Sequence, residues 1–296
     1  MQGHEIQFDT PAGQIAGLRW TAPQPNSQSN DLLICLHGWL DNAASFGPIA
    51  PHLMAHWPGQ MVALDLPGHG NSSHRSERHF YGMWDYVTAA ASVVDALNAD
   101  RVWVIGHSLG GIIAGMWAVA DDRIERAVWL DVVGGLSREP EDTAVEWKNA
   151  IQTWRRANSR VPKYRDFDAA VEARMLGPLT ISESLRVSEF IAQTLSERGI
   201  RKQEQHFSWK NDKCLTLPSP LRMTEAQLQN MLAAIPQPTL ILLAEKGWMS
   251  HQPELLRDRL AQLQNHRVEY WQGGHHFHME EELAKLALTI HQFLTE

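Results

Sequence analysis

The chain has 296 residues, 44% hydrophobic and 20% charged, which fits a globular protein of one large or two ordinary domains that needs no disulfide or metal staple. Its 26 basic and 34 acidic side chains give a net charge of −8, which argues against nucleic acid or an anionic lipid surface as the main partner. The N-terminus has neither a basic start nor an apolar stretch, and no run approaches the roughly 20 apolar residues that cross a bilayer, so a soluble, cytoplasmic protein is expected.

Taken in chain order, Glu5–Phe8 and Ile15–Trp20 read as two alternating strands, followed by a polar loop over Ala22–Asn30. Asp31–Leu36, Gln60–Leu64, Arg101–Ile105 and Arg126–Leu130 are short Val-, Ile- and Leu-rich runs without polar alternation, as strands buried on both faces require. Cys35 falls inside one of them and reads as a small buried hydrophobe; neither it nor Cys214 fits a metal or disulfide spacing. Between the runs, Phe80–Asn98 carries an apolar stripe at helical spacing and Leu109–Ala120 is apolar nearly all round, predicting a surface helix and a central one. Alternating strands and helices predict an α/β fold with right-handed crossovers.

After Gly134 the rhythm changes. Residues 140–232 read as several helices punctuated by Pro162, Gly177, Gly199 and Leu217–Pro218–Ser219–Pro220. Residues 138–232 also carry 15 basic and 13 acidic side chains, a local balance of +2. The α/β pattern resumes with a strand at Thr239–Ala244, a helix at Pro253–Gln264, a strand at Val268–Trp271 and a helix at Glu281–Leu294. The expected organisation is a core of residues 1–135 and 235–296 interrupted by a helical insertion, 136–234.

Gly106–His107–Ser108–Leu109–Gly110 matches G-x-S-x-G between a predicted strand and a predicted helix, the context of a nucleophile elbow. The helix N-terminus there favours developing negative charge. His37–Gly38–Trp39 ends an earlier strand, so the backbone N–H groups of Trp39 and Leu109 are candidate oxyanion donors. Asp65–Leu66–Pro67–Gly68–His69–Gly70 reads as a structural turn. A serine needs a general base, and His275, in the loop between the last strand and last helix, can reach the same sheet edge. Three histidines within Gly273–His278 raise the question of a metal, but without clustered carboxylate or cysteine partners none is expected, and His276 and His278 read as packing and surface residues.

Together, His37–Gly38, Asp65–Leu66–Pro67–Gly68–His69–Gly70, Gly106–His107–Ser108–Leu109–Gly110–Gly111 and Gly273–Gly274–His275 resemble the α/β-hydrolase superfamily over essentially the whole chain. The stretches His37–Asn42 and His275–Met279 are similar to those of the serine hydrolase-like proteins. The resemblance implies an eight-stranded, mostly parallel sheet with a helical cap, and hydrolysis through a Ser–His–acid triad without a cofactor. The superfamily usually places its acid in the loop after the strand read here as Thr239–Ala244, but this sequence has Gly247 at that point. Asp131, at the end of Arg126–Leu130, is the preferred replacement; Glu245 is the alternative; a third possibility is that no acid works.

The expected function is a serine hydrolase of carboxylesterase type acting on small or medium apolar acyl esters, a small-molecule substrate. Lactonase, thioesterase and carbon–carbon bond hydrolase stay open because fold and triad do not set the substrate. A non-catalytic ligand-binding relative is the contrasting class. Trp147, Trp154 and Trp209 would line the site or simply pack the insertion, and Arg155–Arg156 and Arg201–Lys202 read as solvated faces.

Overall fold

A computed structural model describes residues 2–22, 31–75, 79–157, 162–177, 186–280 and 282–296. Most of the polar loop expected before Asp31 (23–30) lies outside these residues, as does Glu281 at the expected start of the last helix.

In chain order the elements are β1 (His4–Thr10), β2 (Gly13–Thr21), β3 (Asp31–Leu36), α1 (Ala50–Met54), β4 (Gln60–Leu64), α2 (Met83–Ala96), β5 (Arg101–His107), α3 (Leu109–Ala120) and β6 (Ile124–Leu130). Then come α4 (Thr143–Arg156), α5 (Phe167–Leu176), α6 (Glu189–Gly199), β7 (Ile200–Lys202), β8 (Phe207–Trp209) and α7 (Glu225–Ala233). The chain closes with β9 (Thr239–Lys246), α8 (Pro253–Leu260), β10 (His266–Gly274) and α9 (Leu283–Thr295). α2 starts three residues later than its apolar stripe, after Gly82, whose N–H donates to Asp85 Oδ2 at 2.9 Å.

Eight strands form one sheet in the order β1-β2-β4-β3-β5-β6-β9-β10. β1 with β2 and β2 with β4 pair antiparallel; all other neighbours are parallel. Ile34 at the centre of β3 stands opposite Val62 on one side and Val104 on the other, which explains its apolar run. Period-two alternation then splits the core: Leu32, Ile34 and Leu36 face α2 and α3, with Val93, Ile113 and Trp117, while Leu33 and Cys35 face α1 and α9, with Leu53, Leu286 and Ile290. Cys35 is fully buried, and that burial pushes its thiol pKa well up, as expected of an inert packing residue.

Strand order reverses direction between β3 and β5, since β4 lies to one side of β3 and β5 to the other. In an open parallel sheet the C-terminal ends at such a switch point leave a crevice, because successive crossovers depart in opposite directions. Trp39 follows β3 and Ser108 follows β5, so this crevice is where the motif residues converge.

Among the described residues, the segment between β6 and β9 contributes no strand to the main sheet. The sequence predicts only helices there; the structure adds the hairpin β7–β8. Three-residue strands are too short to show a period. Their pairing is fixed by tertiary contacts, a bridge from Tyr164 to Phe207 and a hydrogen bond from Trp209 Nε1 to the Tyr164 hydroxyl (3.1 Å). Asn42 Nδ2 donates to the Leu195 carbonyl (2.8 Å) and Trp39 Nε1 to the Leu215 carbonyl (3.1 Å), tying this segment to the crevice edge.

Candidate active site

Ser108 sits between β5 and α3 at φ 50° and ψ −113°, outside the regions open to an ordinary side chain. Such strain, of order 1–3 kcal/mol, persists only where the surroundings over-determine it. Here its N–H donates to the Leu130 carbonyl at 3.0 Å, and the glycines of the motif remove the bulk that would open the turn. A Cβ on Gly110 would stand 1.9 Å from the Leu36 carbonyl oxygen, and one on Gly106 2.2 Å from the Gly110 oxygen. Of the five described non-glycine residues with positive φ, three follow adjacent strands at this edge: Leu40, Ser108 and Asp131.

Among the described residues, neither the Trp39 nor the Leu109 backbone N–H donates a hydrogen bond, and the Ser108 hydroxyl makes none. Leu109 opens α3, where the first amides have no intrahelical acceptor. The neighbouring Leu40 N–H, by contrast, donates to His69 Nε2 (3.2 Å).

Asp131 follows β6 at φ 52° and is completely buried. Its Oδ1 accepts from the Ala244 N–H (3.1 Å) and its Oδ2 from the Trp248 N–H (2.9 Å). The same Oδ2 accepts from His275 Nδ1 at 2.6 Å, which leaves Nε2 of His275 as the ring's free lone pair. A Cβ on Gly247 would lie 2.2 Å from Asp131 Oδ2, so a side chain at position 247 and this carboxylate cannot share the space. Glu245 is exposed at the end of β9 and makes no hydrogen bond to His275 among the described residues.

His276 and His278 are both buried, which corrects the surface reading. They belong to a polar cluster that the local motif does not reveal. Asp41 lies just beyond the His37–Gly38–Trp39 motif. It accepts at Oδ2 from His276 Nε2 (3.0 Å), lies 3.6 Å from His107 Nδ1, and pairs through Oδ1 with Arg174 of α5. Burial pushes the Asp41 carboxyl up, but His276 and Arg174 outweigh it and hold it well below the usual range. Burial lowers His276 to about 4 and lowers His107 and His278 as well, so the imidazoles are neutral at pH 7.

Asp41, His107 and His276 bring one ligand atom each within 4.8 Å of one another. Asp41 is already neutralised by a guanidinium, and that fixed charge repels a divalent cation in a low-dielectric setting. The cluster is therefore read as an ion-paired network.

The Asp65 turn is built in a similar way. Asp65 is fully buried, accepts from the Ala43 and Asn71 amides at 2.8 Å each, and pairs with Arg198 of α6 at 2.8 Å. His37 donates from Nδ1 to the Gly38 carbonyl (2.7 Å) and accepts at Nε2 from the Leu66 N–H (3.0 Å), so the turn braces the Trp39 loop. Trp147 is largely exposed and Trp209 is engaged with Tyr164, which places these two tryptophans in exposed and packing roles.

The α/β-hydrolase fold family profile matches residues 31–282. A serine hydrolase-like protein of Danio rerio is 29% identical over 95% of this chain and 85% of its own length. One from Dictyostelium discoideum is 30% identical over 95% of this chain and 79% of its own length. The crystal structure of a hypothetical protein from Pseudomonas aeruginosa superposes with a TM-score of 0.87 at 32% identity over 99% of both chains. With this match over most of its length, the chain belongs to the α/β-hydrolase family, and fold and relatives together class it as a hydrolase. No described helix is long and apolar enough to cross a membrane.

Proposed function

We propose that the chain is a serine carboxylic-ester hydrolase for small or medium apolar acyl esters, with residues 136–234 forming a cap over the crevice. The observation that carries this reading is the 2.6 Å hydrogen bond from His275 Nδ1 to the buried Asp131, with the His275 carbonyl held at 2.9 Å by His107, the residue before a serine on a strained elbow.

Ser108 Oγ attacks the ester carbonyl carbon while His275 Nε2 takes its proton. The charge that develops on the carbonyl oxygen is received by the Trp39 and Leu109 N–H groups, each worth roughly 3 kcal/mol in the transition state. Collapse breaks the carbon–oxygen bond to the alcohol, and His275 returns the proton to the leaving oxygen. Water then attacks the acyl-enzyme with His275 again as base, releasing the carboxylic acid and restoring Ser108. Asp131 fixes the tautomer that leaves Nε2 unprotonated and stabilises the imidazolium as it forms; loss of this function elsewhere costs about 10⁴ in rate.

The test is a panel of p-nitrophenyl esters from acetate to decanoate, run on the wild type and Ser108→Ala. Saturable hydrolysis of the shorter esters that disappears in Ser108→Ala supports the reading. Hydrolysis that survives in the variant, or is absent from the folded wild type, contradicts it.

A further inference from the structure

The two proposed catalytic side chains have immediate chain neighbours that meet at one carboxylate. His107 precedes Ser108 and His276 follows His275; His276 Nε2 donates to Asp41 Oδ2 at 3.0 Å, and His107 Nδ1 lies 3.6 Å from the same oxygen without a hydrogen bond. His107 also reaches the base directly, since its Nε2–H donates to the backbone carbonyl of His275 at 2.9 Å. The cluster is buried: Asp41 and His107 are 1% exposed or less and His276 8%. Its remaining charge comes from far along the chain, from Arg174 on α5, which is paired with Asp41 Oδ1.

We propose that Asp41 is a positioning residue for the Ser108–His275 pair, and that Arg174 makes this positioning depend on the seating of α5. The inference rests on the ester-hydrolase reading for its reaction, though not for its geometry. Asp41 is ionised and its two histidine neighbours are neutral, so Arg174 is the one full positive charge the described contacts bring to it. Without Arg174 the buried carboxylate loses its compensation, a strongly destabilising situation. The cluster can relieve it only by taking a proton or by drawing His107 and His276 into new positions. The first weakens the acceptor that holds His276 and the second moves backbone beside the reacting atoms, where misplacement by about 1 Å is enough to cost roughly 10²-fold in rate.

The molecule supplies its own control. Arg198 of α6 compensates the buried Asp65 in the same manner, yet Asp65 receives its other hydrogen bonds from the Ala43 and Asn71 amides and touches neither neighbour of the catalytic pair. Breaking either ion pair unsettles the segment between β6 and β9; only the Arg174 pair touches the chain neighbours of Ser108 and His275.

The experiment compares Arg174→Gln, Arg174→Lys, Asp41→Asn and Arg198→Gln by kinetics on one p-nitrophenyl ester, thermal melting, and the NMR resonance of the His275 Nδ1 proton bonded to Asp131. The expected result is a kcat about 10- to 100-fold lower in Arg174→Gln and Asp41→Asn, with KM within about threefold. Arg174→Lys should fall between them and wild type. The His275 proton should shift or broaden in Arg174→Gln and Asp41→Asn alone, while Arg198→Gln lowers the melting temperature and leaves the resonance near wild type. An unchanged resonance in Arg174→Gln and Asp41→Asn, or the same change of resonance in Arg198→Gln, overturns the proposal. If the wild type hydrolyses no ester but the resonance responds to Arg174→Gln and not to Arg198→Gln, the ester reading fails and the positioning role stands.

Discussion

Gly247→Ala probes the acid without touching it. The new methyl would stand 2.2 Å from Asp131 Oδ2 and 2.4 Å from Oδ1, against an ordinary non-bonded contact of about 3.5 Å. The carboxylate or the 244–248 turn must therefore move by roughly 1 Å. The same Oδ2 holds His275 Nδ1 at 2.6 Å and the Trp248 N–H at 2.9 Å, so no movement spares both bonds. Overpacking of this kind costs about 1–3 kcal/mol, which a domain of ordinary stability survives. The rate should suffer more. Misplacement by about 1 Å costs about 10², and full loss of the orienting acid costs about 10⁴, so kcat should fall between these limits with KM little changed. Steady-state kinetics on a short p-nitrophenyl ester, with a melting curve to show that the variant is folded, makes the measurement. A folded Gly247→Ala enzyme with wild-type kcat would refute the assignment of Asp131.

Three other outcomes are expected. Asp131→Asn should lose about 10⁴ in kcat while Glu245→Gln stays within about twofold, and the reverse pattern in the same ester assay transfers the role to Glu245. Arg198→Gln should destabilise the fold by about 3–5 kcal/mol, read as a lower urea midpoint, because it strands the buried Asp65; a midpoint equal to wild type shows the pair to be energetically idle. Stability should also fall on acidification below about pH 6.5. Burial lowers His69 to about 3 and His276 to about 4, so the unfolded chain binds protons that the folded chain refuses between those values and 6.5. The contribution is therefore fully present above pH 6.5 and is lost as pH falls towards 4, at about 1.4 kcal/mol per pH unit for each such histidine. Urea titrations at half-unit steps check it, and a flat midpoint from pH 7 to 5 contradicts it.

The legible parts of this protein are those whose chemistry is local in sequence. A strand, a serine between small residues and a helix follow one another without interruption, so the elbow at Ser108 reads directly from Val102 to Ala120. The acid is different. Asp131 is only the end of one strand and Gly247 only a missing side chain after another; that the first fills the space left by the second emerges once β6 and β9 lie side by side. Asp41 is harder still, because its partners His107, Arg174 and His276 are spread over most of the chain. Arg174 and Arg198 stand among many charged residues on amphipathic helices, where a cation reaching a buried carboxylate has the same spacing as one facing water. The hairpin β7–β8 is hidden for a related reason, as its strands are set by Tyr164 and Trp209 and not by any periodicity of their own.

The central claim, that Ser108 is an activated nucleophile, is tested most directly by treating the folded protein with a fluorophosphonate probe and mapping the adduct by intact mass and peptide mass spectrometry. The expected result is a single adduct on Ser108, absent from Ser108→Ala and greatly slowed in Asp131→Asn. No adduct on the folded wild type, or an adduct on another residue, would contradict the account.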